Sequence, residues 1–297
     1  MLELIVAVML LVLLVMTLQH LRYLRIRRAS AQDQQRLLHS AQTFHVIVYF
    51  RVKSGDKIVD TVRRFQQRIL ATHKVRLVYA GQAGFTVHSK QMARRDWDGL
   101  LMLEYPSRSD YQGQLASGTM HDGRKIFADS YVHALRRNRQ RNLAVPQRLL
   151  RLRLRDILCG RWRTEPLQDA PMFATFPEYE LWRTRAARLR AMHAINNNSL
   201  VVYSMLKRGN RAQQAEYADL ARELASRMAA LGHGPLHMGR PVPLEDVARF
   251  DQVFVMQYPS AEHYADLLSS QFFQRITNEK LLADTFSVFT VPITDRL

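Results

Sequence analysis

Residues 97–107 read W-D-G-L-L-M-L-E-Y-P-S, and residues 250–260 read F-D-Q-V-F-V-M-Q-Y-P-S. Both stretches contain an aspartate, an apolar run of strand length and a Tyr-Pro-Ser turn. The proline ends the strand, and Ser107 with Asp110 three residues later matches the S-x-x-D signature of a helix N-terminus. The same strand-turn-helix unit therefore occurs twice in the chain.

Two further matches arrive in the same order. Residues 46–55, V-I-V-Y-F-R-V-K-S-G, resemble residues 200–209, L-V-V-Y-S-M-L-K-R-G, and this alignment pairs Tyr49 with Tyr203. Ala128-Asp129-Ser130-Tyr131 then matches Ala283-Asp284-Thr285-Phe286. Three ordered matches predict an internal duplication of one small domain.

Hydrophobic periodicity predicts the order β-α-β-β-α-β in each copy. The first copy has strands at 45–52, 75–80, 100–104 and 130–135, with helices at 57–73 and 107–115; the second has strands at 200–206, near His237, at 253–257 and 286–291, with helices at 213–231 and 262–268. This order is typical of a ferredoxin-like antiparallel sheet covered by helices on one face. The uncovered face needs a partner, which a tandem copy supplies. We predict an α+β fold of two tandem ferredoxin-like βαββαβ repeats facing each other as a pseudo-dimeric α/β barrel, behind one N-terminal transmembrane helix.

The N-terminus carries an unbroken apolar run from Leu4 to Leu18. A helix of that length spans about 22 Å, and extension to Leu24 gives about 31 Å, against a hydrocarbon core of roughly 30 Å. The chain lacks a basic segment before the run and a small-residue cleavage site after it, which favours an uncleaved anchor over a signal peptide. The basic residues follow the run, so the positive-inside rule predicts a single-pass inner-membrane protein with its bulk in the cytoplasm. They are Arg22, Arg25, Arg27 and Arg28.

The net charge of +17 comes mostly from arginine. Residues 146–162 predict a basic amphipathic helix that either lies on the membrane surface or packs on the domain as a linker, with Arg148, Arg151 and Arg155 on its polar side. Attraction to anionic lipid headgroups is the simplest account of these charges, and nucleic acid is an unlikely partner. An anionic ligand or a membrane-protein partner stays open.

These features divide the chain into five predicted segments: an anchor with its basic flank at 1–28, a stalk at 29–43, repeat 1 at 44–138, a basic helical insert at 139–198 and repeat 2 at 199–297. Cys159 is the single cysteine, so no intramolecular disulfide forms.

The second copy resembles the dimeric α/β-barrel superfamily. The resemblance rests on Tyr258-Pro259-Ser260, the helix 261–268, Ser270-Gln271-Phe272-Phe273 and Ala283-Asp284-Thr285-Phe286. Within the superfamily, the strongest likeness is to small bacterial domains of uncharacterised function that carry a Phe/Tyr-Pro-Ser motif. The resemblance implies two facing ferredoxin-like sheets. Members include monooxygenases, heme-degrading enzymes and isomerases, so it does not select an activity.

The heme-degrading members carry a histidine seven residues after the serine that follows the second helix. Here Thr277 and Arg124 occupy those positions after Ser270 and Ser117, which disfavours heme. No cofactor is predicted. No metal site is predicted either, because the histidines show no metal-ligand spacing with carboxylates or thiols.

Candidate catalytic residues are Tyr49, Tyr203, His237 and Asp251, although core packing for the tyrosines and a turn role for the aspartate are the ordinary alternatives. Candidate ligand-pocket residues are Tyr49, Tyr105, Tyr203 and Tyr258. The sequence favours a membrane-anchored protein that binds an apolar or anionic small ligand or acts as a scaffold. The alternatives are a cofactor-independent monooxygenase or isomerase, and a subunit of a membrane-protein complex that docks through the arginine-rich insert. Whether the protein is an enzyme stays open.

Overall fold

The computed structural model describes a large part of the chain. The described residues are 2–29, 42–70, 74–90, 95–137, 147, 150–152, 154–160, 184–191, 199–215, 217–218, 235–244, 249–258, 260–271, 273 and 282–297. The predicted stalk, much of the basic insert and most of the helix expected at 213–231 lie outside these residues.

Eight strands and the helices between them follow the two predicted repeats. The first half contains β1 (Phe44–Arg51), α2 (Ile58–Leu70), β2 (Arg76–Val87), β3 (Gly99–Tyr105), α3 (Arg108–Ala116), α4 (Thr119–Arg124) and β4 (Asp129–Arg137), and helix α1 (Leu2–Ala29) precedes it. The second half contains β5 (Leu200–Arg208), β6 (Pro235–Pro243), β7 (Gln252–Tyr258), α5 (Ala261–Leu268) and β8 (Leu282–Pro292), and a 3₁₀ turn (Thr294–Arg296) follows. Ser107 and Ser260 cap α3 and α5 through their side chains, as the repeated Pro-Ser motif requires.

The strands form one closed antiparallel barrel in the order β1-β3-β2-β8-β5-β7-β6-β4. The predicted fold class, two sheets facing each other behind a transmembrane helix, is therefore wrong. On its own, the first half would expose unpaired backbone groups on its edge strands β2 and β4, and the second half on β6 and β8. Ladders from β2 to β8 and from β4 to β6 pair those edges and close the barrel. We call these two ladders the seams.

The ladders also correct the alignment of the two halves. Tyr49 lies opposite Tyr131, whereas the residue opposite Phe286, the counterpart of Tyr131, is Met205. Met205, not Tyr203, is thus the structural equivalent of Tyr49. The sequence alignment of β1 with β5 is shifted by two residues. Because side chains alternate with a period of two along a strand, Tyr49 and Tyr203 still share the same face.

The two halves repeat even their irregularities. A register shift lies between Leu77 and Tyr79 in β2, and an equivalent shift lies between Pro235 and His237 in β6. Two residues further on, Gly81 and Gly239 occupy matching positions at the two seams. A Cβ atom on Gly239 would lie 2.4 Å from the backbone oxygen of Arg136, so this seam can close only around a glycine.

Alternate residues separate an interior core from an exterior one. Ile47 and Tyr49 of β1 belong to the cluster on the inside of the barrel, and Val46, Val48 and Phe50 belong to the cluster on the outside that also includes Phe65 of α2. The exterior clusters join the helices to the barrel wall. The interior cluster draws side chains from both halves, which makes the barrel a single folding core.

Among the helices in the described part of the chain, none is both long and apolar enough to cross a membrane. The predicted transmembrane anchor and the predicted inner-membrane location, with the bulk of the chain in the cytoplasm, are therefore wrong. The physical reason lies in the length of the apolar run. It ends at Leu18, about 22 Å along the helix and short of a roughly 30 Å hydrocarbon core, and α1 continues into polar and basic residues.

The described helical residues of the basic insert are 147, 150–152, 154–158 and 184–191. Leu150 and Asp156 are buried, so one side of this segment packs against the protein. Arg151 and Arg155 are exposed on the other side, and Arg148 lies outside the described residues.

Candidate functional site in the barrel interior

Three histidines and one glutamate lie buried on the described strands of the barrel, among mostly apolar residues. They are His45, Glu104, His133 and His237. Burying a charged or polar group is costly unless another group satisfies it. We refer to these four residues as the polar cluster.

His45 and Glu104 form a hydrogen-bonded pair. They lie directly opposite each other on β1 and β3, with His45 Nε2 3.2 Å from Glu104 Oε2. A carboxylate only accepts hydrogen bonds, so the imidazole Nε2–H is the donor. The other carboxylate oxygen, Oε1, accepts from the guanidinium of Arg76 at 2.7 Å. Glu104 thus links a buried imidazole to an arginine that reaches solvent.

Burial is the main influence on His45, and it lowers the pKa of this imidazole below 6.5. The hydrogen bond to Glu104 and its negative charge act in the opposite direction, and Arg137 and Arg76 add to the lowering. His45 is therefore neutral at physiological pH, and Glu104 stabilises the charged form whenever His45 takes up a proton.

His237 comes from β6 of the second half and lies beside His45. The two ring centroids are 5.4 Å apart, with the ring planes inclined by 40°. The sequence singled out His237 on its own. The closed barrel brings it to His45 and thereby joins the two halves in one site.

His133 on β4 lies among aromatic rings. Its ring centroid is 5.5 Å from that of Tyr49 and 5.9 Å from that of Tyr131, in stacked orientations. In the part of the chain that the structure describes, neither Nδ1 nor Nε2 of His133 has a hydrogen-bond partner. Burial lowers the pKa of His133 to about 3, so the ring is neutral and offers one donor and one acceptor.

Tyr49 and Tyr203 both lie in the interior. The Tyr203 hydroxyl donates to the sulfur of Met102 at 3.3 Å, and the Tyr203 ring is 5.6 Å from that of Tyr79. The Tyr49 ring makes an edge contact with Phe286 at 5.2 Å. Burial raises the pKa of both phenols well above 10, so they are hydrogen-bonding groups and not bases.

Tyr105 and Tyr258 lie on the other face of the wall. The Tyr105 hydroxyl donates to Gln114 of α3, and the Tyr258 ring packs edge-on against Tyr264 of α5, 4.5 Å between centroids. The structure thus brings Tyr49 and Tyr203 together inside the barrel and places the other two predicted pocket residues beneath the helices.

Asp251 lies at a strand end, apart from the polar cluster. Its carboxylate accepts the backbone N–H of Arg208 at 2.8 Å, and Asp98 accepts that of Val52 at 2.9 Å in the first half. The two aspartates are thus equivalent clamps that hold the end of β5 or β1. Because both halves use the same clamp, the fold itself explains Asp251.

The polar cluster breaks the symmetry of the barrel. The ladders make Val201 the counterpart of His45, Gln257 that of Glu104, and Val288 that of His133. The first half therefore supplies three of the four polar residues. Sequence analysis missed these three residues. His45 and Glu104 stand at the ends of apolar strands, and their only sequence signal is that a polar residue occupies a position whose side chain points into the barrel.

The described residues were compared with the geometry that a metal ion requires. Among the described residues, no group of three or more histidine, cysteine, aspartate or glutamate side chains has a geometry that could hold a metal ion.

No family model matches the chain, and no curated protein matches it. Solved structures with a similar arrangement include the "Putative monooxygenase" from Fusobacterium nucleatum subsp. nucleatum ATCC 25586, with 8% identity, a TM-score of 0.40, and coverage of 86% of this chain and 94% of that one. They also include a protein named as a "putative dyp-type peroxidase protein" from Shewanella oneidensis (8% identity, TM-score 0.41, 86% and 94% covered) and the dye-decolorizing protein from V. cholerae (9% identity, TM-score 0.41, 86% and 95% covered). The finer resemblance to Phe/Tyr-Pro-Ser domains gains no support from a family model.

The prediction that disfavoured heme needs correction. The similar structures named above include a peroxidase. The spacing typical of heme-degrading members concerns only positions 124 and 277, whereas the interior contains histidines on β1, β4 and β6. The unpartnered nitrogens of His133 have the donor chemistry that heme iron takes, and the rings of Tyr49 and Tyr131 fill the space beside them.

Proposed function

We propose that the barrel interior binds a small, mostly apolar molecule that carries one hydrogen-bonding group, with His133 as the contact for that group. The observation that carries this proposal is the buried imidazole whose two nitrogens have no partner in the described residues. Leaving a buried donor or acceptor unsatisfied costs about 1–3 kcal/mol. A ligand that bonds to His133 removes that cost.

The surroundings of His133 specify the ligand further. Tyr49 and Tyr131 stack beside the imidazole, and Phe286 lies against Tyr49, so a planar aromatic or unsaturated body would find matching surfaces. His133 stays neutral, since its pKa is about 3, and can therefore donate to a carbonyl or accept from a hydroxyl. A neutral molecule with one such group fits better than a strongly charged one.

Native mass spectrometry of the full chain, purified gently and then mixed with a panel of small phenols and aromatic ketones, tests this proposal. We expect one ligand per chain. His133→Val, which copies Val288 of the second half, should weaken binding at least tenfold, while Tyr131→Phe, which copies Phe286, should retain it. Equal binding by His133→Val and the natural chain would contradict the assignment of His133.

A second candidate function is a cofactor-independent monooxygenase or isomerase. The pair of His45 and Glu104 favours it, because reactions of both kinds on weakly acidic substrates can begin with proton removal by a positioned base. Oxygen uptake in the presence of a phenol panel would reveal the first activity, and deuterium exchange into an aromatic ketone would reveal the second. A chain that binds these compounds but shows neither signal would be a binding protein only.

A further inference from the structure

We propose that Arg136 and Arg240 form a binding site for a phosphate monoester on the outer face of the barrel. The site lies apart from the barrel interior, so it goes beyond the binding function proposed for His133 and does not depend on it. The two arginines come from different halves of the chain, and the seam between β4 and β6 brings them together.

The seam places the two arginines side by side. Arg136 of β4 and Arg240 of β6 are directly opposite each other in the ladder, and both are exposed. Leu135, the residue before Arg136, belongs to the interior cluster, so the alternation along the strand makes Arg136 and its partner point outward. Directly opposed residues of an antiparallel pair have Cβ atoms about 4.5–5.5 Å apart, which lets both guanidinium groups reach one anion.

The surroundings of the pair do not offset its charge. On the same face, the neighbouring positions hold Phe44 on β1, Ala134 on β4, and Met238 and Val242 on β6, all uncharged. Among the residues that the structure describes, no acidic side chain forms an ion pair or a hydrogen bond with either arginine. Like charges directly opposite each other in a sheet are destabilising. An anion bound from outside the chain would remove this repulsion.

The other seam shows that the barrel closes without such a pair. Gly81 and Gly239 mark the matching places in the two seams, and the positions next to Gly81 in its ladder are Gln82 and Val291. These two residues are opposite each other, as the arginines are, and neither carries a charge. Closure of a seam therefore does not require two arginines, and binding explains them better than folding does.

Two adjacent guanidinium groups specify the kind of anion. Each group is planar, stays charged at physiological pH, and presents paired N–H donors that match the oxygens of a phosphate or a carboxylate. A phosphate monoester carries close to two negative charges at neutral pH, whereas a carboxylate carries one. The monoester therefore balances both arginines. Its charge decreases as the pH falls through about 6, so its binding should weaken there.

Isothermal titration calorimetry of the full chain with phenyl phosphate tests the proposal, and benzoate serves as the matched carboxylate. At about pH 7.5 we expect phenyl phosphate to bind at least tenfold more tightly than benzoate, and severalfold more tightly than it binds at about pH 5. Arg240→Gln, which copies Gln82 of the other seam, should weaken phenyl phosphate binding at least tenfold. Arg136→Gln removes the other member of the pair and should give the same loss, so a folding defect in one variant leaves the test intact.

Arg51→Gln is the matched control. Arg51 is exposed at the end of β1 that lies away from Phe44, and its replacement removes the same charge far from the pair. This variant should bind phenyl phosphate as the natural chain does. Equal losses in Arg51→Gln and Arg240→Gln would overturn the proposal, because they would mean that net charge alone attracts the ligand.

Phosphate monoesters occur in small soluble molecules and in lipid headgroups, and vesicles distinguish these sources. Co-sedimentation with phosphatidylcholine vesicles, with and without phosphatidic acid, measures binding to the headgroup. Binding of phenyl phosphate that requires Arg240 would support a soluble ligand. Binding to phosphatidic acid vesicles alone, again lost in Arg240→Gln, would support the lipid source of the same group. A natural chain that binds neither probe would overturn the proposal and leave the ligand proposed for His133 unaffected.

Discussion

Replacing His133 with valine should change how the stability of the protein depends on pH. The imidazole has a pKa of about 3 in the folded chain because it is buried, against 6.5 as its ordinary value. The unfolded state therefore binds more protons than the folded state between these values, and stability increases with pH there. The contribution is fully present above pH 6.5 and is lost as the pH falls towards 3.

The two pKa values determine the size of the effect. Between about pH 7.5 and about pH 5, protonation of His133 in the unfolded state should reduce the free energy of unfolding by about 2 kcal/mol. The smaller valine side chain also leaves space and removes two unsatisfied nitrogens. Those effects do not depend on pH, so the difference between the two pH values isolates the titration.

Urea denaturation of the natural chain and of His133→Val, followed by circular dichroism at both pH values, gives the quantity directly. We expect the variant to gain about 2 kcal/mol relative to the natural chain on going to the lower pH. Tyr131→Phe serves as a control with an unchanged pH dependence. Parallel pH curves for His133→Val and the natural chain would refute the argument, since they would mean that His133 titrates normally in the fold.

Three further sets of substitutions test the fold around the site. Gly239→Ala should lower the free energy of unfolding, measured by urea denaturation, by about 3 kcal/mol, because the new Cβ would lie 2.4 Å from the Arg136 backbone oxygen. Gly113→Ala, which has open space in helix α3, should raise it by up to about 1 kcal/mol. Equal effects of the two substitutions would contradict the tight seam at Gly239. Asp251→Ala and Asp98→Ala should each cost about 1 kcal/mol by freeing the backbone N–H of Arg208 or Val52, and a loss confined to one of them would refute their equivalence. Tyr79→Phe should cost about 1 kcal/mol, measured in the same way, because it removes the 2.8 Å hydrogen bond to Thr290, and no loss would show that this bond is not needed.

Local patterns predicted the strands well. The expected strand at 100–104 is observed as Gly99–Tyr105, and the serine caps lie where the Pro-Ser motif put them. Sequence could not predict which strands pair at the seams, because these ladders join residues of different halves through backbone hydrogen bonds that any residue except proline can donate. The two-residue shift between β1 and β5 escaped detection for a related reason, since a shift by two preserves the alternation of faces.

The candidate site was only partly visible in the sequence. The sequence indicated Tyr49, Tyr203 and His237 as candidates. Tyr49 and Tyr203 belong to the interior cluster, and His237 lies beside His45. The sequence did not indicate His45, Glu104 or His133 as site residues. A polar residue in an apolar strand indicates a site only when its side chain is known to point into the interior. Asp251 drew attention through its repetition, yet repetition in both halves is what a structural clamp produces.

The duplication itself accounts for the asymmetry of the interior. In a barrel of two identical chains, every interior residue has a symmetry-related copy, so a buried histidine–carboxylate pair would occur twice and its desolvation cost would double. In a single chain the halves vary independently. Here the first half carries His45, Glu104 and His133, and the equivalent positions of the second half hold Val201, Gln257 and Val288. A fused barrel can thus place a polar group against an apolar wall, which is the environment that one asymmetric ligand, apolar on one side and hydrogen-bonding on the other, requires.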